Sequence, residues 1–230
     1  VFVAFGDLQA TMYPLLADER SVALNIGTSA QIAFRQSSDG GAAEYEKALL
    51  ARSTCGLLPF FNNGKVIVSA SMNGGNMVMS EIEARIGKNA TNAEIATLLQ
   101  AADKFAERNS NRPFTAEATG LFHCERGMPA ADALRLHRID PNDKRPIADE
   151  EAIAAVCRRV VANMLDLTPF DEGRHQIMLL VGSAACSRFA MPLRRELGQR
   201  SRSVIEIVKP EGSTSAAAGA AAFAWAESDL

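Results

Sequence analysis

Residues 21–34 read Ser-Val-Ala-Leu-Asn-Ile-Gly-Thr-Ser-Ala-Gln-Ile-Ala-Phe. Val22 to Asn25 and Gln31 to Phe34 have the character of strands. Gly27, Thr28 and Ser29 between them supply turn chemistry, so the stretch predicts a β-hairpin. Upstream, Val1 to Phe5 is a short buried-looking strand. Gly6-Asp7 breaks it, and Leu8 to Leu16 fits a short helix. Downstream, Ser37 to Gly41 is a polar loop and Val66 to Ala70 a β-branched run. Asn73-Gly74-Gly75-Asn76 interrupts the chain before a helical Met77 to Ile86.

Helical spacing places Ile95, Leu98, Leu99, Ala102 and Phe105 on one face of a helix over Ala93 to Phe105. Leu134 to Asp149 is charged and proline-interrupted, which predicts a loop. Ile153, Val156, Cys157, Val160, Val161 and Met164 recur at amphipathic helix positions. Arg158 and Arg159 fall on the other face and are expected in solvent. Met77 and Met79 are expected in the core. Ile177 to Val181 is a continuous apolar strand, followed by a helix from about Ala185 to Leu197. Val204 to Val208 is a further strand, and Ser213 to Trp225 an alanine-rich helix. A hairpin followed by strand–helix alternation argues for one layered α/β domain, a mixed sheet flanked by helices. Strands around Phe2, Ala23, Ile32, Val66 and Leu179 are expected to share it.

The chain has 230 residues, 47% hydrophobic and 22% charged, an ordinary globular composition. A net charge of −3 leaves no basic footprint for nucleic acid. The longest apolar stretch, Ala216 to Ala226, is about half of the roughly 20 residues a membrane span needs. The chain starts at Val1 inside a strand-like run, which suggests a piece of a longer protein. Cys55, Cys124, Cys157 and Cys186 lie far apart with no Cys-x-x-Cys pair, so no zinc site is indicated. Reduced thiols in a cytoplasmic protein are the expectation. His123-Cys124-Glu125 are chain neighbours, a poor arrangement for a nucleophile and its base.

Three small-residue turns stand where strands stop: Gly6-Asp7-Leu8-Gln9, Asn25-Ile26-Gly27-Thr28-Ser29 and Gly182-Ser183-Ala184-Ala185. Such turns gather backbone N–H groups and can cradle phosphate. Singly, each has a plainer reading: Asp7 as a helix N-cap, Thr28 as a turn residue.

Together with Leu58-Pro59-Phe60-Phe61 and Ser71-Met72-Asn73-Gly74-Gly75-Asn76, in this order, they resemble the C-terminal half of the FGGY carbohydrate kinases. The likeness is greatest to the members that phosphorylate sedoheptulose. Glu125-Arg126 resembles the Gly-Glu-Arg segment of those kinases, with Cys124 in place of the glycine. Ser183 to Arg188 is similar to their adenosine-side turn, and Ser215 to Ala221 to their closing helix.

The resemblance implies an actin-like ATPase (ribonuclease-H-like) fold in which two α/β domains flank a cleft. Residues 1–230 would be the C-terminal nucleotide-binding domain, its partners being sugar, ATP with Mg²⁺, and an N-terminal domain of the same protein. It implies phosphorylation of a ketose, sedoheptulose to sedoheptulose 7-phosphate, with a pentulose or polyol as other acceptors. By resemblance Asp7 is the base that accepts the sugar proton and Gln9 a neighbouring polar contact. Gly27, Thr28 and Ser29 would hold the β- and γ-phosphates, and Gly182, Ser183 and Ala184 would face the adenosine. Mg²⁺ would be carried mostly by phosphates and water. The Asn73 to Asn76 turn is either a sugar-kinase motif or a tight start to a helix. Glu125 and Arg126 are expected as a structural ion pair. The adenosine turn is poorer in glycine than the family's, and each added Cβ stands where a ligand comes close. That departure keeps open a non-catalytic sugar- or nucleotide-binding protein on the same fold.

Overall fold

The computed structural model describes residues 7–36, 43–52, 54–61, 64–121, 123, 125, 133–168, 175–200 and 205–210. In chain order the elements are α1 (Asp7–Met12), β1 (Ser21–Ile26), β2 (Ala30–Arg35), α2 (Ala43–Leu50), β3 (Cys55–Pro59) and β4 (Lys65–Ser71). Then follow α3 (Gly75–Ile86), α4 (Asn92–Arg108), β5 (Ala116–Thr119), β6 (Arg135–Arg138) and α5 (Asp149–Leu167). The described chain closes with β7 (Ile177–Gly182), a 3₁₀ turn (Ser183–Ala185), α6 (Ser187–Arg200) and β8 (Glu206–Val208).

Six strands form one mixed sheet in the order β3-β4-β2-β1-β7-β8. The predicted hairpin is its centre: β1 and β2 run antiparallel, with Ile26 opposite Ala30 at the tip. On one side the antiparallel meander continues through β4 and β3. On the other side β7 and β8 join in parallel. Ala23, Ile32, Val66 and Leu179 therefore lie in one sheet, as expected; Phe2 lies outside the described residues. β5 and β6 make a separate antiparallel pair.

Period-two alternation assigns the two faces. Val22, Leu24 and Ile26 of β1, Ile32 and Phe34 of β2, and Met178 and Leu180 of β7 pack into one large core. Helices α3, α4, α5 and α6 cover that face, led by Met77, Ile82, Val156, Val160 and Leu193. Ala23, Ala33, Val68 and Val181 point the other way, under Met12, Leu15, Leu16, Phe60 and Phe61. Tyr13 completes this smaller cluster, its ring 4.4 Å from that of Phe61.

Several expectations change. The first helix stops at Met12 rather than Leu16, because Pro14 disfavours helical backbone in the residue before it. Residues 134–149 are not all loop: Arg135–Arg138 is a strand, its polar sequence tolerated because it pairs only with β5. Arg158 and Arg159 are not a solvated face. Arg158 Nε donates to Glu196 at 3.1 Å and its guanidinium lies 4.1 Å over the Phe114 ring. Arg159 Nε donates to the Gly120 carbonyl at 3.0 Å. Met77 is buried as expected, whereas Met79 is 37% exposed. The predicted first strand and the alanine-rich helix lie outside the described residues. Among the described residues no helix is long and apolar enough to cross a membrane.

Candidate functional site

The parallel pairing of β1 with β7 sets Ile26 beside Gly182 at the strands' C-terminal ends. The hairpin tip Gly27–Ser29 and the turn at Ser183 therefore leave the sheet side by side. At that edge lies a cavity of about 520 Å³. Gly27, Thr28 and Ser183 line it, joined by Gly75 and Asn76 and by Val78, Met79, Ser80, Glu83, Leu99, Arg188 and Phe189. Crevices outside the carboxyl ends of strands are where α/β sheets bind ligands.

The tip is shaped by the start of α3. The Gly75 N–H donates to the Gly27 carbonyl at 2.7 Å, and the Asn76 N–H to the Thr28 carbonyl at 3.1 Å. A trans peptide sets its N–H opposite its C=O. The Thr28 and Ser29 N–H groups therefore point away from the α3 start. Neither donates to a backbone carbonyl among the described residues. All three tip residues are exposed. The tip thus presents two amides without a backbone acceptor among the described residues, the chemistry that holds an anion.

The close approach explains the two glycines of Asn73-Gly74-Gly75-Asn76. A Cβ on Gly74 would stand 2.4 Å from the Ser29 carbonyl carbon, and one on Gly75 2.5 Å from the Gly27 oxygen. The motif is a tight helix start, clamped on the tip. Gly74, at the N-cap, has no side chain to cap with, and Asn76 does so from inside the helix: its Oδ1 accepts from the Gly74 and Met77 N–H groups, both at 2.8 Å.

Ser183 and its neighbours differ in where they stand. Ser183 reaches the cavity. Gly182 holds φ +60°, which turns the chain there, and does not line the cavity. Ala184 is fully buried in the large core and does not line this cavity. Ser29 is exposed at the tip but lies outside the cavity wall. Asp7 and Gln9 open α1, which packs Met12 on the opposite face of the sheet from α3 and α6. Their side chains lie outside the described residues.

The cavity also has residues that sequence reading passed over. Arg188 Nη1 donates to Asp103 of α4 at 2.6 Å, and the Arg188 N–H to the same carboxylate at 2.7 Å. The guanidinium is thereby fixed as a cation in the wall. Val78, Leu99 and Phe189 make the wall beside it apolar. The sequence signal was available only in part: Arg188 sits within the third turn's segment, but Asp103 was indistinguishable from any exposed helix charge. A second cavity, about 530 Å³, opens beside α5. Of the charges along it, Arg138 pairs with Glu151 at 2.5 Å and Arg145 with Asp143, outside the lining, at 2.7 Å. Among the described residues no three His, Cys, Asp or Glu side chains are grouped to hold a metal ion.

Comparison with known proteins fits this geometry. No family model matches the chain. Human sedoheptulokinase is 28% identical over 179 residues, covering 75% of this chain and 35% of that protein. The mouse sedoheptulokinase is 26% identical over 205 residues, covering 86% and 40%. This chain resembles sedoheptulokinase. It spans only 35% to 40% of the length of these curated relatives. Among solved structures, a xyloylose kinase from Brucella ovis superposes with a TM-score of 0.63 at 15% identity, covering 94% of this chain and 41% of that one. A xylulose kinase from Rhodospirillum rubrum gives 0.60 at 13% identity, with 95% and 40% covered. Plasmodium falciparum glycerol kinase with ADP gives 0.57 at 13%, with 94% and 40% covered. The fold is that of the carbohydrate kinases, the actin-like fold expected from the sequence.

Proposed function

We propose that this chain is the nucleotide-holding wall of an ATP-dependent sugar kinase acting on a ketose, with sedoheptulose as the first acceptor to test. The observation that carries the reading is the cavity at the ends of β1 and β7, which Thr28 lines and beside which the Thr28 and Ser29 amides leave the tip without a backbone acceptor among the described residues. The apolar Val78, Leu99 and Phe189 stretch suits a base. The amides and the Thr28 hydroxyl hold the terminal phosphates, and Ser183 lies toward the nucleoside. Mg²⁺ comes with the nucleotide and is carried by its phosphates and water.

Phosphoryl transfer then needs positioning and charge stabilisation more than covalent chemistry. The sugar hydroxyl oxygen attacks the γ-phosphorus as the bond to the ADP oxygen breaks. The hydroxyl proton passes to the Asp7 carboxylate, and Gln9 contacts the substrate nearby. The sugar pocket and the opposite phosphate turn belong to a second domain of the same protein.

The test is ADP release by the full-length protein across a panel of ketoses and polyols. Sugar-dependent release is expected, and Asp7→Asn lowers kcat by about 100- to 10,000-fold with ATP binding retained. Nucleotide binding without turnover on any sugar would instead mark a non-catalytic binding protein. Undiminished turnover in a folded Asp7→Asn protein would take Asp7 out of the mechanism.

A further inference from the structure

Behind the Gly74-Gly75 clamp lies a buried carboxylate that the reaction above does not use. Glu125 is 3% exposed. One of its oxygens, Oε1, accepts from three side chains: Ser71 Oγ at 2.5 Å, Asn73 Nδ2 at 2.7 Å and Asn163 Nδ2 at 2.6 Å. These donors come from the end of β4, the turn after it and α5. Arg126, the expected ion-pair partner, lies outside the described residues. A charge removed from water is tolerated only when hydrogen-bonded, and here three donors converge on it.

Asn73 is the hub of this network. It is fully buried. Its Oδ1 accepts from the His123 N–H at 2.8 Å, and its Nδ2 donates to the His123 carbonyl at 2.8 Å as well as to Glu125. Its own N–H donates to Ser71 Oγ at 2.8 Å. Every polar group of Asn73 that could let the turn drift is therefore tied down. The next two residues are Gly74 and Gly75, whose backbone presses on the hairpin tip and draws its carbonyls toward α3.

We propose that Glu125 is a positioning residue for the phosphate turn, acting through Asn73 and the Gly74-Gly75 clamp to aim the Thr28 and Ser29 amides. Glu125 does not line the cavity itself. Its carboxylate sets where Asn73 sits, Asn73 sets where Gly75 sits, and Gly75 sets the peptide planes of the tip. The inference rests on the nucleotide reading of the cavity. It adds that nucleotide affinity is governed by a residue outside the binding site.

The experiment measures binding of a fluorescent ATP analogue to the full-length protein, alongside thermal unfolding. Glu125→Gln keeps the shape and one acceptor oxygen but removes the charge on which the three donors converge. Asn163→Leu removes one donor to the same oxygen, together with its bond to Ser71 Oγ at 3.1 Å, while leaving Asn73 to Asn76 unaltered, and guards against a Glu125 variant that fails to fold. Both are expected to weaken nucleotide binding, Glu125→Gln roughly tenfold and Asn163→Leu less. The KM for sugar should not change. Combined with Gly75→Ala, Glu125→Gln should add nothing further to the loss of affinity, because both act through one clamp. A folded Glu125→Gln protein with wild-type nucleotide affinity overturns the inference alone. Additive losses in the double variant overturn it too. A folded wild-type protein that binds no nucleotide overturns the cavity reading and this inference with it.

Discussion

Gly182 stands opposite Ile26 across the parallel β1–β7 pair, and a Cβ built on it would lie 3.0 Å from the Ile26 carbonyl oxygen and 3.1 Å from Asn25 Oδ1. The two strand ends are thus as close as a glycine permits. That proximity brings the hairpin tip and the Ser183 turn to one cavity although they are far apart in sequence.

Gly182→Ala should therefore be costly on two counts. Its φ of +60° and ψ of −136° lie where side-chain-bearing residues are strained. The new methyl would also press on the β1 backbone. The expected loss is about 1–3 kcal/mol of stability, read as a lowered urea midpoint with an unchanged slope. A midpoint equal to wild type would show that the strand ends can part freely.

Gly74→Ala tests the clamp from the other side. The added Cβ meets backbone at 2.4 Å, not a flexible side-chain end. The α3 start must retreat from Ser29, at a cost of about 1–3 kcal/mol as for other overpacked sites. Nucleotide binding should weaken with it, because the tip carbonyls lose their fixed donors. Calorimetric titration with ATP, set beside the unfolding curve, separates the two effects.

The central hairpin, β7 and α5 could be read from the chain because each buries one face, so a period of two or 3.6 is imprinted on their residues. Thr28 and Ser183 could be placed at one site only through the family resemblance, since strand order is not a local property. The rest depended on partners distant in sequence. Arg158 looked solvated because its cover, Phe114 and Glu196, comes from other elements. The strand Arg135–Arg138 buries too little apolar surface to leave a pattern. Glu125 gave no hint that Ser71, Asn73 and Asn163 would converge on it, because a polar network has no periodicity.

The α4 start offers a pH test. Thr91 and Glu94 form a reciprocal cap: Thr91 Oγ1 accepts from the Glu94 N–H at 3.3 Å, and Glu94 Oε2 accepts from the Thr91 N–H at 2.8 Å. The Thr91 N–H, and then its hydroxyl, hold the Glu94 carboxyl below the usual glutamate range. A carboxyl lowered on folding stabilises the folded state above the unfolded-state pKa, about 4.3. That contribution fades as pH falls from there through the lower folded value. Thr91→Ala should cost about 1 kcal/mol at neutral pH, and less below pH ~4. An equal loss at both pH values would remove Glu94 from the cap.

Cysteine reactivity should follow burial. Cys157 is fully buried in α5, and desolvation pushes its thiol far above the usual range. The thiolate is the reactive form. Brief treatment of the folded protein with iodoacetamide should leave Cys157 unmodified while the half-buried Cys55 and Cys186 are alkylated. Peptide mass spectrometry reads this directly. Early modification of Cys157 would mean that the α5 packing opens readily.

Arg188 gives the sharpest test of which end of the cavity takes the base. It shares the cavity wall with Leu99 and Phe189, its guanidinium 5.8 Å from the Phe189 ring centre. A fixed guanidinium there can stack on a purine or donate to its ring nitrogens. Asp103 holds it so that little side-chain freedom is lost on binding. Arg188→Met keeps the apolar stem and removes the cation. It should raise the Kd for ATP roughly tenfold, about 1.4 kcal/mol, and leave the Kd for inorganic triphosphate nearly unchanged. Asp103→Asn keeps an acceptor for the Arg188 N–H but loses the charge, so it should act in the same direction and less. If Arg188→Met instead weakened triphosphate as much as ATP, the cation would belong to the phosphate end, and the orientation of the nucleotide in the cavity would have to be reversed.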